Sequence, residues 1–174
     1  MSLRVALVTV SDRSARGERE DRSGPVLAEA VRASGAEVVR RELVADDPRA
    51  LALLLAELCD GDAAPDLVLT TGGTGLGPRD RTPEATAGVC DRLVPGIAEA
   101  LRARSLEVTP HAMLSRAVAG VRGATLIVNL PGSPGGARDG WEVVARVAEH
   151  AAAQLAGGDH GPPPGAVGGR GAAG

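Results

Sequence analysis

The fold of this chain is decided by Leu67-Val68-Leu69-Thr70-Thr71-Gly72-Gly73-Thr74-Gly75-Leu76-Gly77-Pro78-Arg79-Asp80-Arg81-Thr82-Pro83-Glu84. Its beginning, Leu67 to Thr70, is an apolar run typical of a buried strand. A glycine-rich loop follows, and the next residues predict a helix with Thr82 as N-cap and Pro83 at the first helical position. A strand, a glycine turn and a helix N-terminus in succession can cradle a phosphate, because backbone N–H groups point at the ligand and no Cβ blocks its approach. A tight turn without a ligand is the alternative, since glycine clusters between elements are usually turns.

The residues before this stretch alternate between strand and helix patterns. Leu3–Val10 and Glu37–Leu43 read as strands, and Ser23–Ser34 and Leu51–Leu58 read as helices, the second of them capped by Asp47. A β-α-β-α-β order predicts an α/β fold, with a mostly parallel central sheet and helices on both faces. It is a Rossmann-like three-layer arrangement, in which ligands bind beyond the carboxyl ends of the strands. We therefore expect the loops at Ser11–Arg16, at Asp46–Asp47 and at the glycine stretch to converge on one crevice.

The second half of the chain is less regular. We expect helices at Pro83–Val89, Ile97–Leu106 and Asp139–Leu155, a turn at Gly120–Gly123, a strand at Ala124–Asn129 and a glycine-rich loop at Leu130–Gly136. From residue 157 onwards glycine, proline and alanine dominate without any apolar periodicity. The organisation is thus one domain over residues 1–156, followed by a disordered tail at residues 157–174.

Composition excludes several classes of protein. The net charge of −3 gives no basic field for nucleic acid or an anionic membrane, and Trp141 is the one aromatic residue, so stacking platforms for bases are missing. No apolar run reaches the length of a membrane span, and the N-terminus lacks the pattern of a signal peptide, so we expect a cytoplasmic protein. Cys59 and Cys90 are far apart, which disfavours a zinc site or a disulfide framework.

Asp46 and Asp80 are the strongest candidates for chemistry. Each carboxylate lies in a loop behind a predicted parallel strand, and two such groups facing a phosphate site would hold Mg²⁺. The alternative for Asp46 is a solvated loop residue or an additional cap. The alternative for Asp80 is an ion pair with Arg79 or Arg81, although these arginines could instead clamp a phosphate.

Three other positions have two readings each. Asp12 either belongs to the site or pairs with Arg13. Ser115-Arg116 lies in an apolar segment, where a buried structural hydrogen bond is as plausible as a ligand contact. Ser133 could offer its hydroxyl and neighbouring amides to a second phosphate, or it is simply a turn residue.

Several motifs together resemble those of the MogA/MoaB family of molybdenum cofactor biosynthesis proteins, which is related to the gephyrin G domain. The matching pieces run in family order and comprise Val10-Ser11-Asp12-Arg13, Thr70–Gly75 with Arg79–Thr86, Pro95-Gly96, Leu114–Val118 and Asn129–Pro134.

The resemblance implies a molybdopterin-binding fold and transfer of AMP from Mg·ATP to the terminal phosphate of molybdopterin, with release of pyrophosphate. It implies that Asp46 and Asp80 are the catalytic and metal-binding acids. It also implies that a larger set of residues binds the nucleotide and the pterin: Ser11, Asp12, Gly72, Gly73, Thr74, Gly75, Ser115, Arg116, Pro131, Gly132 and Ser133. The implied assembly is a homotrimer or a hexamer of trimers, and a downstream molybdenum-insertion protein is the implied partner.

The resemblance allows a second function. Arg79–Pro83 is similar to the MogA branch, whereas Ser115–Val121 is more similar to MoaB. The alternative function is therefore a non-catalytic protein that binds or carries molybdopterin.

Overall fold

The computed structural model describes residues 2–157. The predicted tail therefore lies outside the described residues, apart from Gly157. Within them, six strands form one sheet in the order β2-β1-β3-β6-β5-β4. These strands are β1 (Arg4–Val10), β2 (Glu37–Val44), β3 (Leu67–Thr71), β4 (Arg92–Leu93), β5 (Ala119–Arg122) and β6 (Thr125–Leu130).

Helices connect and cover the strands. They are α1 (Asp12–Ala15), α2 (Ser23–Ala33), α3 (Pro48–Asp60), α4 (Thr82–Val89), α5 (Pro95–Leu106), a 3-10 helix (Pro110–Leu114) and α6 (Pro134–Leu155). Strands β2, β1, β3 and β6 are mutually parallel, whereas β5 pairs antiparallel with β6 and β4 antiparallel with β5. The predicted α/β fold with a mostly parallel sheet is confirmed.

The core has two layers because side chains of a strand alternate between its faces. On one face, Leu7 and Leu69 pack with residues of α2, α5 and α6, among them the buried Trp141. On the other face, Val8 and Val68 pack with residues of α3 and α4. The sheet is therefore covered on both sides, and ligand sites are restricted to the ends of its strands.

The antiparallel half of the sheet corrects one prediction. Gly120–Gly123 is not a turn, because residues 119–122 form β5, and the turn lies at Gly123, whose φ is +55°. A Cβ at Gly120 would lie 2.6 Å from Sγ of Cys90, so this glycine permits a close approach within the strand.

Three helix starts also differ from prediction. Ser11–Gly17 is not an open loop, because residues 12–15 form the single turn α1. Thr82 is the first helical residue of α4 rather than its N-cap, which is Arg81. Helix α6 begins at Pro134 and not at Asp139, because Ser133 caps it by accepting a hydrogen bond from the Gly136 N–H at 3.1 Å.

Among residues 2–157, no helix combines the length and the apolar character needed to cross a membrane.

Candidate active site

Three loops meet at the carboxyl ends of β1, β2 and β3, as the strand order predicts. The Asp12 N–H donates to Oδ2 of Asp46 at 2.7 Å, and the Asp46 N–H donates to Oδ1 of Asp12 at 3.0 Å. Arg79, from the loop after β3, donates from Nη2 to Oδ1 of Asp12 at 3.0 Å. The predicted convergence of these loops is confirmed.

The path of the chain after β3 requires glycine at two successive positions. Gly72 and Gly73 have φ of +106° and +66°, values that residues with a side chain rarely adopt. A Cβ at Gly72 would also lie 2.3 Å from the carbonyl oxygen of Val10. The loop therefore packs directly on the end of β1, with no room for a side chain.

The glycine stretch, residues 72–75, separates three environments. Gly72 borders a polar cavity of about 100 Å³ between the ends of β1 and α2. A Cβ at Gly73 would point at Oγ1 of Thr82 and Oδ1 of Asp46, at 2.3 and 3.2 Å. Thr74 and Gly75 line a cavity of about 670 Å³ on the other side. The stretch thus borders a carboxylate side at Gly73 and an open side at Thr74 and Gly75, with the small polar cavity next to Gly72.

The carboxylate side, which we define as Asp12, Asp46 and Arg79, is closed by its own contacts. Both oxygens of Asp12 accept hydrogen bonds from Arg79, whose Nη2 also donates to the Asp46 carbonyl at 3.1 Å. The hydrogen bond from Arg79 lowers the pKa of Asp12 below its usual value. The alternative interpretation of Asp12, an ion pair with Arg13, is therefore wrong in its partner. Arg79 pairs with Asp12 and not with Asp80.

Asp46 is electrostatically the opposite of Asp12. Burial raises its pKa, and the neighbouring charges of Asp12 and Asp80 raise it further, against the lowering effect of its hydrogen bond from Asp12. A half-buried carboxylate beside two other acids is disfavoured as an anion unless a cation joins it. Such perturbed groups concentrate at functional sites.

Asp80 is folded into its own turn. Its Oδ2 accepts from the Gly77 N–H at 2.8 Å, and its own N–H donates to the Gly77 carbonyl at 3.0 Å. A Cβ at Gly75 would lie 2.9 Å from the same Oδ2, so glycine lets the carboxylate lie against the loop. The structure places Asp80 near enough to Asp46 for its charge to act on that group.

The donor set suits a hard cation. Within the described part of the chain, no three residues among His, Cys, Asp and Glu are grouped to hold a metal ion on their own. However, Oγ1 of Thr82 is buried without a hydrogen-bond partner, and it lies in the corner between Gly73 and Asp46. A buried hydroxyl without a partner costs roughly 1–3 kcal/mol. The Asp46 carboxylate lies beside this hydroxyl, and Asp80 is near enough to act on Asp46 by its charge. Oxygen donors of this kind fit Mg²⁺, which commonly takes one or two carboxylates together with substrate phosphate oxygens.

The open side is a preformed small-molecule cavity. Its volume of about 670 Å³ lies within the roughly 300–1,000 Å³ range of ligand pockets. Of the residues predicted to bind ligands, six line it: Thr74, Gly75, Ser115, Pro131, Gly132 and Ser133. Ser11 and Gly72 instead line the smaller polar cavity, which Gly132 also borders.

The two predicted glycine loops lie against each other. The Thr71 hydroxyl donates to the Pro131 carbonyl at 2.7 Å, and the Gly72 N–H donates to the Leu130 carbonyl at 3.3 Å. The second loop leads directly into α6, whose N-terminus at Ser133 and Gly136 faces the large cavity. Amides at a helix N-terminus favour an anion, and here they add to a cavity that is already built.

Arg116 makes structural hydrogen bonds, which was one of the two interpretations of its position, and it does not line the large cavity. Its Nε donates to the Gly75 carbonyl at 2.8 Å, and its Nη1 pairs with Glu84 of α4. These contacts lie behind the glycine stretch, so the structure places Arg116 against the loop rather than in the cavity.

Sequence reasoning missed Asn129 and Arg102, which also line the large cavity. Asn129 is fully buried at the end of β6, and its Nδ2 donates to the hydroxyls of Thr70 and Thr86, each at 2.9 Å. An amide that ends an otherwise apolar strand was the available signal. Nothing in the pattern around Arg102, on the partly buried helix α5, distinguished it.

Comparison with known proteins gives consistent results. A family model described as "Probable molybdopterin binding domain" matches residues 6–150. The molybdopterin adenylyltransferase of Helicobacter pylori (strain J99) is 40% identical over 145 residues, covering 82% of this chain and 82% of that protein. The molybdopterin adenylyltransferase of Escherichia coli (strain K12) is 42% identical over 135 residues, covering 76% of this chain and 69% of its own length. The crystal structure of the molybdopterin biosynthesis enzyme MoaB from Thermus thermophilus superimposes with a TM-score of 0.83 at 50% identity, covering 89% of this chain and 97% of that one.

Proposed function

Because the chain belongs to the molybdopterin-binding domain family, we propose that it is a molybdopterin adenylyltransferase of molybdenum cofactor biosynthesis. It transfers AMP from ATP to the terminal phosphate of molybdopterin and releases pyrophosphate. The geometric observation that carries the proposal is the position of the glycine stretch, which borders an open cavity at Thr74 and Gly75 and the carboxylate of Asp46 at Gly73.

The reaction needs positioning more than it needs a base. An oxygen of the molybdopterin phosphate bonds to the α-phosphorus of ATP, and the bond from that phosphorus to pyrophosphate breaks. The attacking phosphate is already an anion, so no proton must be removed. The chain has to orient two phosphates and offset their mutual repulsion with fixed dipoles, and the amides of residues 72–75 and of the α6 N-terminus are suited to do so.

We assign the acids to a metal. Asp46 and Asp80 would hold Mg²⁺, which when bound would screen the charge of the phosphates. The raised pKa of Asp46 and the orphaned Thr82 hydroxyl support this assignment, since a cation would stabilise both.

We assign the large cavity to molybdopterin and the region of the smaller polar cavity to the nucleotide. The first assignment rests on volume and on a lining that combines polar groups, such as Thr74 and Ser115, with the arginines Arg102 and Arg138. The second rests on Ser11 and Gly72, which lie beside the α2 N-terminus. Asp12 would act through Asp46, which it contacts directly.

We further propose a cytoplasmic homotrimer, or a hexamer of trimers, that delivers its product to a molybdenum-insertion protein. The support is the resemblance stated above, together with exposed apolar side chains near the end of α5. Val108 and Met113 are 68% and 69% exposed, and a second copy of the chain could cover them.

The test is an assay of pyrophosphate release with molybdopterin and Mg·ATP. The proposal expects turnover that depends on both substrates. Tight molybdopterin binding without turnover would instead establish the alternative function, a binding or carrier protein.

Asp80→Ala should lower turnover about 100-fold or more while leaving the fold intact, since it removes a metal ligand. Asp91→Ala is the matched control, because Asp91 also accepts one backbone hydrogen bond, from Gly123 at 2.7 Å, far from the site. Steady-state rates and circular dichroism of both variants check the prediction. Wild-type turnover in Asp80→Ala would refute the assignment.

A further inference from the structure

Arg116 holds the two ends of the loop formed by residues 75–80. Its Nε donates to the Gly75 carbonyl at 2.8 Å, and its Nη2 donates to the Asp80 carbonyl at 2.5 Å. Its Nη1 pairs with Glu84 on α4, and its backbone N–H donates to the Thr74 carbonyl at 2.9 Å. One guanidinium therefore joins the two ends of residues 75–80 and fastens them to a helix.

Two other sets of contacts hold this loop. Inside it, Asp80 and Gly77 form the reciprocal turn described above. At its tip, Arg79 pairs with Asp12 and donates to the Asp46 carbonyl, with a side chain that is 64% exposed. At its base, where the peptide unit of Asp80 lies, Arg116 is the side chain that fastens the loop.

We propose that Arg116 is a positioning residue for the transfer reaction, acting by fixing the peptide unit of Asp80 and hence the direction of its carboxylate. The inference rests on the proposed function of Asp80. Arginine suits this role because its planar fork donates to several acceptors in fixed directions. Lysine has the same charge but one donor centre, so it cannot reach both carbonyls and Glu84 in this geometry.

The anchor also relates the loop to the substrate cavity. Residues 115–117 carry Arg116, and Ser115 and Ala117 line the large cavity. Arg102 of α5 fixes this segment in turn by donating to the Ala117 carbonyl at 2.9 Å. The position of Asp80 is therefore set relative to the cavity wall by a continuous set of hydrogen bonds.

Arg122 offers a matched control. Its Nη1 donates to the Val89 carbonyl at 2.8 Å, and its Nε and Nη2 donate to Asp60 at 2.8 and 2.7 Å. Like Arg116, it joins a backbone carbonyl to a carboxylate, and the two side chains are similarly exposed, at 34% for Arg116 and 28% for Arg122. It lies far along the sheet from the strand ends that form the site. A purely structural role predicts equal consequences for the two positions.

The experiment compares Arg116→Lys with Arg122→Lys in the full chain. We expect kcat to fall about 10- to 100-fold in Arg116→Lys, the usual range for residues that orient a metal ligand. We expect KM for both substrates to stay within about twofold, because the removed interaction does not touch them. Hydrogen exchange of the amides of Leu76, Gly77, Arg79 and Asp80 should accelerate in Arg116→Lys alone. Equal kcat in the two variants, or unchanged exchange in Arg116→Lys, would overturn the proposal.

A double variant separates this inference from the proposed function. If Arg116 acts through Asp80, Asp80→Asn combined with Arg116→Lys should be no slower than Asp80→Asn alone. Multiplicative losses would overturn the positioning role while leaving the role of Asp80 intact. Full activity of Asp80→Asn would instead overturn the assignment on which the inference rests. Should Arg116→Lys fail to fold, Glu84→Gln carries the same test, with the same exchange and kcat criteria and a smaller effect.

Discussion

The two sides of the glycine stretch differ in how their polar groups are bonded. On the carboxylate side, Asp12, Asp46 and Arg79 bond to one another and close the space between them. On the open side, hydrogen bonds are made within the walls, and a cavity of about 670 Å³ stays clear. On the carboxylate side, a ligand would have to replace ion-pair contacts that the side chains now make with one another. On the open side, packing has already formed the cavity without a ligand.

The difference shows which kinds of residue each side requires. A cavity of fixed shape needs walls whose hydrogen bonds are complete, as Asn129 illustrates. A site for a cation and phosphates needs charge that is poorly satisfied, as the raised pKa of Asp46 illustrates.

The largest effect is expected from a substitution that disturbs the glycine stretch between the two sides. Gly72→Ala would force a side chain into a φ of +106° and against the Val10 carbonyl, so the free energy of unfolding should fall by about 3 kcal/mol or more. Denaturant unfolding measures the loss. Gly88→Ala in α4 is the control, since a Cβ there meets nothing within 4 Å, and it should stabilise by about 0.5–1 kcal/mol. Equal stability of the two variants would contradict the role assigned to Gly72.

A smaller change should affect ligand binding on the open side alone. Ser133→Asp keeps an N-cap acceptor for the Gly136 N–H but adds a negative charge at the cavity rim, so molybdopterin affinity should fall about tenfold or more while Tm changes little. Ser133→Ala should show the reverse pattern, with a loss of about 1 kcal/mol in stability and a smaller loss in affinity. Fluorescence titration and thermal unfolding check both. Unchanged affinity in Ser133→Asp would place the phosphate elsewhere.

The smallest effect concerns pH and the carboxylate side. Because the folded pKa of Asp46 is raised, its contribution to stability is fully present below its unfolded pKa and is lost as pH rises through the folded value. Asp46→Asn removes this loss, so its Tm at pH 7 should exceed that of the unmodified chain by about 1–2 °C, with the difference vanishing at acid pH.

Asp12→Asn supplies the control of opposite sign. Arg79 lowers the folded pKa of Asp12, so its contribution is present above the unfolded pKa and is lost as pH falls through the folded value. This variant should therefore be less stable than the unmodified chain at pH 7. Tm profiles of the same sign for both variants would contradict the electrostatic contrast between the two acids.

Sequence patterns predicted the parallel part of the fold well, and the reason is burial. Strands β1, β3 and β6 are mostly apolar runs, and their predicted ends differ by at most one residue from those observed. Strand β5 was missed because Gly120 and Gly123 suggested a turn. Gly120 instead lies within the strand, where the absence of a side chain leaves room for the side chain of Cys90. The start of α6 was missed because Gly135 and Gly136 suggest a loop, while Ser133 and Pro134 in fact begin a helix.

At the site, patterns predicted which loops would meet but not which side chains would pair. The carboxyl ends of parallel strands had to converge, so the proximity of Asp12 and Asp46 follows from topology. The partner of Asp12 depends on how the glycine loop folds back, which brings Arg79 rather than Arg13 to it. The role of Arg116 depends on a segment whose local pattern favours neither a buried hydrogen bond nor a ligand contact.

Trp141 gives the molecule a built-in optical reporter. The chain contains one Trp and neither Tyr nor Phe, and this indole is 3% exposed within the core formed with α2 and α5. Its fluorescence emission should be blue-shifted in the folded state and should shift to longer wavelengths on unfolding. No other residue contributes to this emission, because the chain has neither Tyr nor Phe. Helix α6 carries Trp141 about two turns from the cap at Ser133, on the cavity rim. A change in emission when a ligand is added at constant stability would therefore report a change in the packing around Trp141, between α6 and its neighbours.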